Sequence, residues 1–294
     1  MHNHRFNAKK FFVEPESKLK LAKISSASGD ELSGKAQGVE ALEADIQSLQ
    51  EAQERLYASN RRALLVILQG MDTAGKDGII RHVLRGVSPM GCRVHSFRAP
   101  NTEELEHHFL WRPMRFLPPK GVMAIFNRSY YEEVLVVRVH PKFLGPQNLL
   151  PYKNLDDLWQ RRYREMRSFE KTLVDSGTSV LKFYLHISRN EQRKRLLERL
   201  QDPSKHWKFN PGDLEERKLW PQYIEAFEDA LSHTSSPEAP WYVIPADDKW
   251  YARAAVADII AAHLESLDLE FPEVSKEVST QFENYSKALR DEKD

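Results

Sequence analysis

The chain has 294 residues, and its 43 Lys and Arg are balanced by 43 Asp and Glu. That length suffices for one large α/β domain or two small ones, and a zero formal charge excludes a general attraction to nucleic acid or membrane, so anion binding must be local. No apolar run approaches the roughly 20 residues of a membrane helix, and the single cysteine, Cys92, excludes an internal disulfide. The opening "MHNHRFNAKKFF" lacks the apolar core of a secretory signal, so a soluble cytoplasmic protein is expected.

In chain order, residues 1–36 read as polar and irregular, with "SSASGDELSGK" a flexible joint. Residues 37–60 read as an amphipathic helix, because Val39, Leu42, Ile46, Leu49 and Leu56 recur at helical spacing. "ASN" followed by arginines closes it. From Arg62 to about His263 short apolar runs alternate with helical patterns. "ALLVILQG", "CRVHSFRA", "GVMAIFNRS", "SVLKFYLHIS" and "PWYVIPAD" read as strands. Helices are expected at about 77–86, 102–112, 155–175, 190–200, 213–232 and 249–266. Strands separated by such helices predict a mainly parallel sheet covered on both faces, a three-layer α/β/α architecture. Met90, Met114 and Met123 read as core filling. The expected organisation is an N-terminal extension over 1–60, an α/β domain over 61–267 and a peripheral segment over 268–294.

The chemistry concentrates at "GMDTAGKDG", residues 70–78. Gly70, Gly75 and Lys76 satisfy G-x-x-x-x-G-K between an expected strand and helix, the context of a phosphate-binding loop. There the backbone N–H groups of Ala74, Gly75, Asp77 and Gly78 would face a phosphate, and Lys76 would add a mobile positive charge. Asp77 stands where a serine or threonine is usual. With Asp72 it puts two carboxylates beside a phosphate site, which implies a divalent cation.

A second group, Asn127–Glu133 in "NRSYYEE", follows the strand ending at Phe126. Ligand-contacting residues gather beyond the carboxyl ends of strands in doubly wound sheets, so Arg128 would meet phosphate oxygens if the two strands are neighbours. Glu132 or Glu133 would then hold magnesium or position an acceptor; a salt-bridged helix start is the competing explanation. Basic residues also cluster in "SRNEQRKRLLERLQDPSKHWK", where Arg193, Arg199 and Lys208 are the candidates for a polyanion channel over a lid at about 189–215. "WQRRYREMR" adds arginines that a solvated helix face equally explains.

"GMDTAGKDG", "FRAPNTEELEHHFLWR", "IFNRSYYEEVLVVRVHP" and "APWYVIPADDKWYAR" together resemble the polyphosphate kinase 2 family, in order, from about residue 55 to 265. The resemblance implies a thymidylate-kinase-like P-loop kinase fold with a helical lid. It implies Mg2+-dependent transfer, with Mn2+ a substitute, between inorganic polyphosphate and ADP, and AMP as well. By the resemblance Asp72, Lys76 and Asp77 would form the phosphate-loop site, with Asp72 a metal ligand, and Arg128 would contact the phosphates being transferred; with Glu133 as a second metal ligand, Asp72, Lys76 and Arg128 make the expected catalytic group. Asn127, Glu132, Arg98 and Trp111 are expected at the nucleotide. Much of that family carries aspartate where this chain has Asn127, and Glu133 is the candidate for the missing carboxylate. A homo-oligomer, dimer or tetramer, is expected, with no nucleic-acid or membrane partner. Two other readings stand beside this one: an ATP-dependent nucleoside monophosphate or small-molecule kinase, and a non-catalytic nucleotide-binding protein.

Overall fold

Ala63–Gln69 is buried at all seven positions and forms β1, the middle strand of the sheet, in a computed structural model describing residues 4–292. A strand apolar on both faces must be covered on both. Four more strands flank it: β2 Cys92–Ser96, β3 Met123–Asn127, β4 Thr178–His186 and β5 Trp241–Pro245. Their order is β2-β3-β1-β4-β5 and every pairing is parallel. All five match the expected runs, and the sheet is wholly parallel where the sequence suggested mainly so.

The helices are α1 Lys35–Ser59, α2 Lys76–Val83, α3 Thr102–Glu106, α4 Trp111–Met114, α5 Val136–Val139, α6 Leu155–Asp175, α7 Arg189–Gln201, α8 Gly212–Lys218, α9 Trp220–Thr234, α10 Lys249–Glu265, α11 Lys276–Ser279 and α12 Phe282–Asp291. On one face α10 packs against β4, β5, α2 and the long α1; on the other, α6 packs on β4 and α9 on α6. This is the three-layer P-loop kinase architecture. No helix among the described residues is long and apolar enough to cross a membrane.

Two expected helices divide. The run over 102–112 separates into α3 and α4 because His107 turns extended. The run over 213–232 breaks at Leu219, and α9 restarts with a proline in its first turn, where the missing N–H costs nothing.

The stretch before α1 is not a loose joint. Phe6, Phe11, Val13 and Leu21 are buried, and the backbone of Phe11 and Val13 pairs with Val243 and Trp241 along the free edge of β5. "SSASGDELSGK" is held to the same end: Ser26 donates to Asp247 at 2.8 Å, Tyr251 donates to Glu31, and Leu32 is buried. Short polar residues there satisfy acceptors at the end of β5, a pattern that composition alone reads as flexibility. Of the three methionines only Met123 fills the core; Met90 is 72% and Met114 51% exposed. Residues 1–3 and 293–294, at the ends of the expected N-terminal extension and C-terminal segment, lie outside the described residues.

Behind β3 and β4 sits a buried polar knot. Lys182, with no exposed surface, donates to Glu170 and, at 2.8 Å, to the carbonyl of Thr234. Tyr130 and Tyr131 each donate to the same Glu170 oxygen at 2.7 Å. Glu170 thus ties α6 to β4 and to the turn that follows β3. Breaking a buried pair from one side leaves the other charge uncompensated. Glu170→Gln is expected to destabilise the fold by about 3–5 kcal/mol in denaturant unfolding. An unchanged midpoint would mean the pair contributes no such constraint.

Candidate active site

Gly70 follows β1 directly, and its φ of 153° lies in the region that favours glycine. A Cβ there would meet the Leu185 carbonyl oxygen at 3.0 Å, so the loop leaves the sheet only through this residue. The loop closes on Gly75, at φ 113°, directly before α2. Lys76 opens α2 and folds back over the loop, its Nζ donating to the carbonyls of Gly70 at 2.7 Å and Met71 at 3.2 Å. Burial, and then the charge of Arg128, pull its pKa down to about 8.

β3 lies beside β1, with Leu68 opposite Asn127. The turn after β3 therefore meets the loop after β1. Arg128 adopts a left-handed φ of 61°, its backbone N–H donates to Leu68 at 3.0 Å, and its guanidinium reaches Asp72 at 2.6 Å and Glu132 at 3.4 Å. Glu132, first among its neighbours, raises the Arg128 pKa above its ordinary value. Asn127 donates to Asp77 at 2.9 Å. An aspartate at position 127 would set two like charges at that distance; the amide turns the contact into a hydrogen bond.

These groups line a cavity of about 470 Å3 that holds Asp72, Thr73, Ala74, Gly75, Lys76, Asp77, Gly78, Asn127 and Arg128. From the lid side Arg199, Lys205, Lys208 and Asp213 face into it, and α10 adds Lys249 and Arg253. Arg199 bridges Asp213 at 3.3 Å and donates to the Lys208 carbonyl. Asp213 has its pKa raised, by burial first and then by Asp72 across the cavity.

Six expected residues do not line this cavity: Gly70 and Glu132 border a smaller one with Asp72 and Arg128, and Glu133, Trp111, Arg98 and Arg193 stand apart. Glu133 turns the other way, held by Gln147 at 2.8 Å and by buried Arg162 at 3.2 Å, so the carboxylate beside Asp72 and Arg128 is Glu132. In a turn this tight, adjacent side chains diverge, and the glutamate four residues after Asn127's neighbour Arg128 is the one that returns to it. Trp111 is sandwiched between His107, ring centroids 4.0 Å apart, and Arg115, and lines no described cavity. Arg98 and Arg193 are exposed and stand outside the cavity. Conversely, Arg195, Asp213, Lys249 and Arg253 line it without having been singled out. For α10 the "DDKWYAR" motif was the available signal; for Asp213, only its place in the lid.

A second cavity, of about 400 Å3, shares no lining residue with the first. It is bordered by Pro100, Glu104, His108, Phe109, Arg112, Glu133, Leu149, Arg161 and Arg162. Phe97, which lines the first, carries the guanidinium of Arg112, which borders the second, 5.0 Å above its ring.

Among the described residues no three His, Cys, Asp or Glu side chains converge into a ready-made metal cage. Mg2+ does not require one: it commonly takes one or two carboxylates and completes its shell with water and substrate phosphates. Asp72 and Asp77 both open to the cavity, and between them the Thr73 hydroxyl is buried with no hydrogen-bond partner. That donor set fits the ion.

Fold and site together define a P-loop phosphotransferase of the kinase type. Residues 32–272 match the family model described as Polyphosphate kinase 2, and the chain belongs to the polyphosphate kinase 2 family. It is 47% identical over 272 residues to an ADP-polyphosphate phosphotransferase of Rhodopseudomonas palustris, covering 92% of this chain and 94% of that one. It is also 47% identical to an AMP/ADP-polyphosphate phosphotransferase of Meiothermus ruber, covering 90% and 96%. Among solved structures, the polyphosphate kinase 2 of Arthrobacter aurescens TC1 superposes with a TM-score of 0.85 at 38% identity, covering 94% of this chain and 98% of that one.

The pKa of Lys76 sets a pH dependence. A lysine whose folded pKa is about 8 carries its charge below that pH and loses it above. Because kcat/KM reports the free enzyme, it is expected to fall on the alkaline side with an apparent pKa near 8. The kcat limb should lie higher, since bound phosphate oxygens favour the ammonium form. A kcat/KM profile that stays flat from pH 7 to 9.5 would exclude this charge as a contributor.

Proposed function

We propose that the chain transfers the terminal phosphoryl group of inorganic polyphosphate to ADP, giving ATP, and to AMP, giving ADP. The observation that carries this reading is the extent of the basic lining. It continues from the phosphate loop past Arg128 to Arg199, Lys205, Lys208, Lys249 and Arg253, farther than a single transferring phosphate needs. The relatives' names support both acceptors, one specifying ADP and the other AMP and ADP.

Phosphoryl transfer asks the protein for alignment and for neutralisation of charge on the moving group. Lys76 and Arg128 supply positive charge at its oxygens. Glu132 and Asp72 aim the Arg128 guanidinium, and Arg199, Lys205 and Lys208 hold the chain beyond the reacting phosphate under the lid. The phosphate of AMP or ADP is itself a nucleophile, so no general base is required. Mg2+, with Mn2+ a substitute, would be held by Asp72 and Asp77 and would supply charge neutralisation between the two substrates. The second cavity is the acceptor side, with Arg112 and Arg161 toward the phosphates and Phe109 toward the base. Glu133 supports Arg162 there and does not serve as a metal ligand. The enzyme works in the cytoplasm as a homo-oligomer, and its cations, gathered into a cavity, suit a threaded inorganic chain better than a nucleic-acid surface.

Supplying Mg2+, AMP or ADP separately, and polyphosphate or ATP as donor, and resolving the nucleotides by chromatography tests donor and acceptor together. ATP is expected from ADP and polyphosphate, and ADP followed by ATP from AMP and polyphosphate. Lys76→Ala should lower kcat/KM on the order of 10³-fold, the scale for losing one preorganised charge-stabilising donor. Transfer from ATP alone, with none from polyphosphate, would establish an ATP-dependent nucleotide kinase instead.

A further inference from the structure

Arg195 reads as a phosphate ligand: it is an arginine lining a phosphate cavity, among other cations. Its hydrogen bonds say otherwise. A guanidinium has five N–H donors, and five bonds are made. Nε donates to Glu191 at 2.8 Å. One terminal nitrogen donates to the carbonyls of Thr73 at 2.9 Å and Ala74 at 3.1 Å. The other donates to the carbonyls of Ala246 at 2.7 Å and Asp247 at 2.8 Å. Nothing is left for an oxyanion.

One turn earlier on the same face of α7, Gln192 donates to the carbonyl of Asp72 at 3.1 Å, and its own carbonyl oxygen accepts from Arg217 of α8 at 2.8 Å. Gln192 is 2% and Arg195 5% exposed. Two residues spaced three apart on a helix share a face, and here that face grips three consecutive loop carbonyls: Asp72, Thr73 and Ala74. One of these residues is strained. Thr73 holds a φ of 66°, a genuine outlier for a β-branched side chain, and such strain persists only where the surroundings over-determine it.

We infer that Gln192 and Arg195 are positioning residues that clamp the phosphate loop from outside, turning its carbonyls onto α7 so that the N–H groups at its exit, from Gly75 to Gly78, stay available to phosphate, while that of Ala74 closes the loop on the Met71 carbonyl at 3.1 Å. The inference rests on the loop being the polyphosphate site proposed above. Neither side chain touches substrate. The clamp acts on the loop's geometry, and a loop displaced by about 1 Å is expected to cost on the order of 10²-fold in rate. It also gives α7 a double duty, since the same helix carries Arg199 into the cavity and leads into the lid.

The decisive variants are Arg195→Lys and Gln192→Met, assayed with polyphosphate and ADP, with amide hydrogen exchange measured on the substrate-free proteins. A lysine retains the charge but cannot span two pairs of carbonyls, so Arg195→Lys should lose on the order of 10²-fold in kcat/KM, mostly in kcat. Gln192→Met conserves volume and should lose about tenfold. Both should speed exchange at the amides of residues 71–75 while leaving those of β1 and β4 protected. Activity of Arg195→Lys within twofold of the parent would show a point charge acting directly on phosphate and would overturn the clamp. Unchanged loop exchange in Gln192→Met would overturn it too, and that variant decides the matter should Arg195→Lys fail to fold. If the parent protein makes no ATP from polyphosphate, the functional reading falls, but the exchange comparison needs no substrate and still judges the clamp.

Discussion

The ion pair between Asp72 and Arg128 exists only because β1 and β3 are neighbours. The two residues are 56 apart in sequence and 2.6 Å apart in space. Each hangs from the carboxyl end of its strand, where a doubly wound parallel sheet leaves a crevice for ligand. The contact is not free. Arg128 sits in a left-handed conformation, which costs on the order of 1–3 kcal/mol for a residue with a side chain. It is offset locally by the backbone bond to Leu68 and by two carboxylates, and from behind by Glu170, which takes both tyrosine hydroxyls of the same turn. The guanidinium is therefore delivered by the buried core of the sheet, not by a surface loop.

The same logic explains which parts of the site could be read from the residues in order. Strands announce themselves by apolar runs, and a phosphate loop by glycine and lysine at fixed spacing, so β1 through β5 and the Gly70–Lys76 loop stand out. All of this is local information. What escaped was set by direction and by tertiary contact. Glu132 and Glu133 are adjacent and chemically identical; only the path of the turn decides that one meets Arg128 and the other Arg162. Arg193, Arg195 and Arg199 lie on one helix, and helical spacing alone does not say which faces the loop, the cavity or the solvent. The residues before α1 looked loose because their hydroxyls and carboxylates were counted as polar, although several are partners for Asp247 and Tyr251. The resemblance points Trp111 at the nucleotide by position alone, while its ring is taken by His107 and Arg115.

A neutral molecule can still hold a polyanion if its charges are sorted. Eight of the side chains lining the larger cavity are Lys or Arg and four are Asp or Glu, an excess of four cations in a protein with none overall. Without an anion these cations work against one another. After burial, Arg128 is the largest influence lowering the pKa of Lys76. Arg195 does the same to Lys249 and to Arg253. The carboxylates relieve part of this: Asp72 and Glu132 on Arg128, Glu198 on Lys249 and Asp213 on Arg199. An entering phosphate would relieve the rest, since an oxyanion between two repelling cations favours the charged form of both.

That residual repulsion also bears on why the carboxylates belong in a site for anions. Asp72 and Asp77 beside a phosphate loop are costly if they face the substrate bare, and Asp213 already registers the charge of Asp72 across the empty space. A divalent cation would reverse the sign of that interaction, because each acidic side chain would then share it with phosphate oxygens. The loop's departure from the usual hydroxyl at Asp77 and the amide at Asn127 fit one arrangement: a carboxylate moved onto α2 and a neutral donor placed opposite to hold it. The charge that an aspartate at position 127 would bring is carried at 77 instead, on the helix that Lys76 begins, so acid and ammonium stand on the same first turn of α2 while Arg128 reaches the loop from the turn after β3.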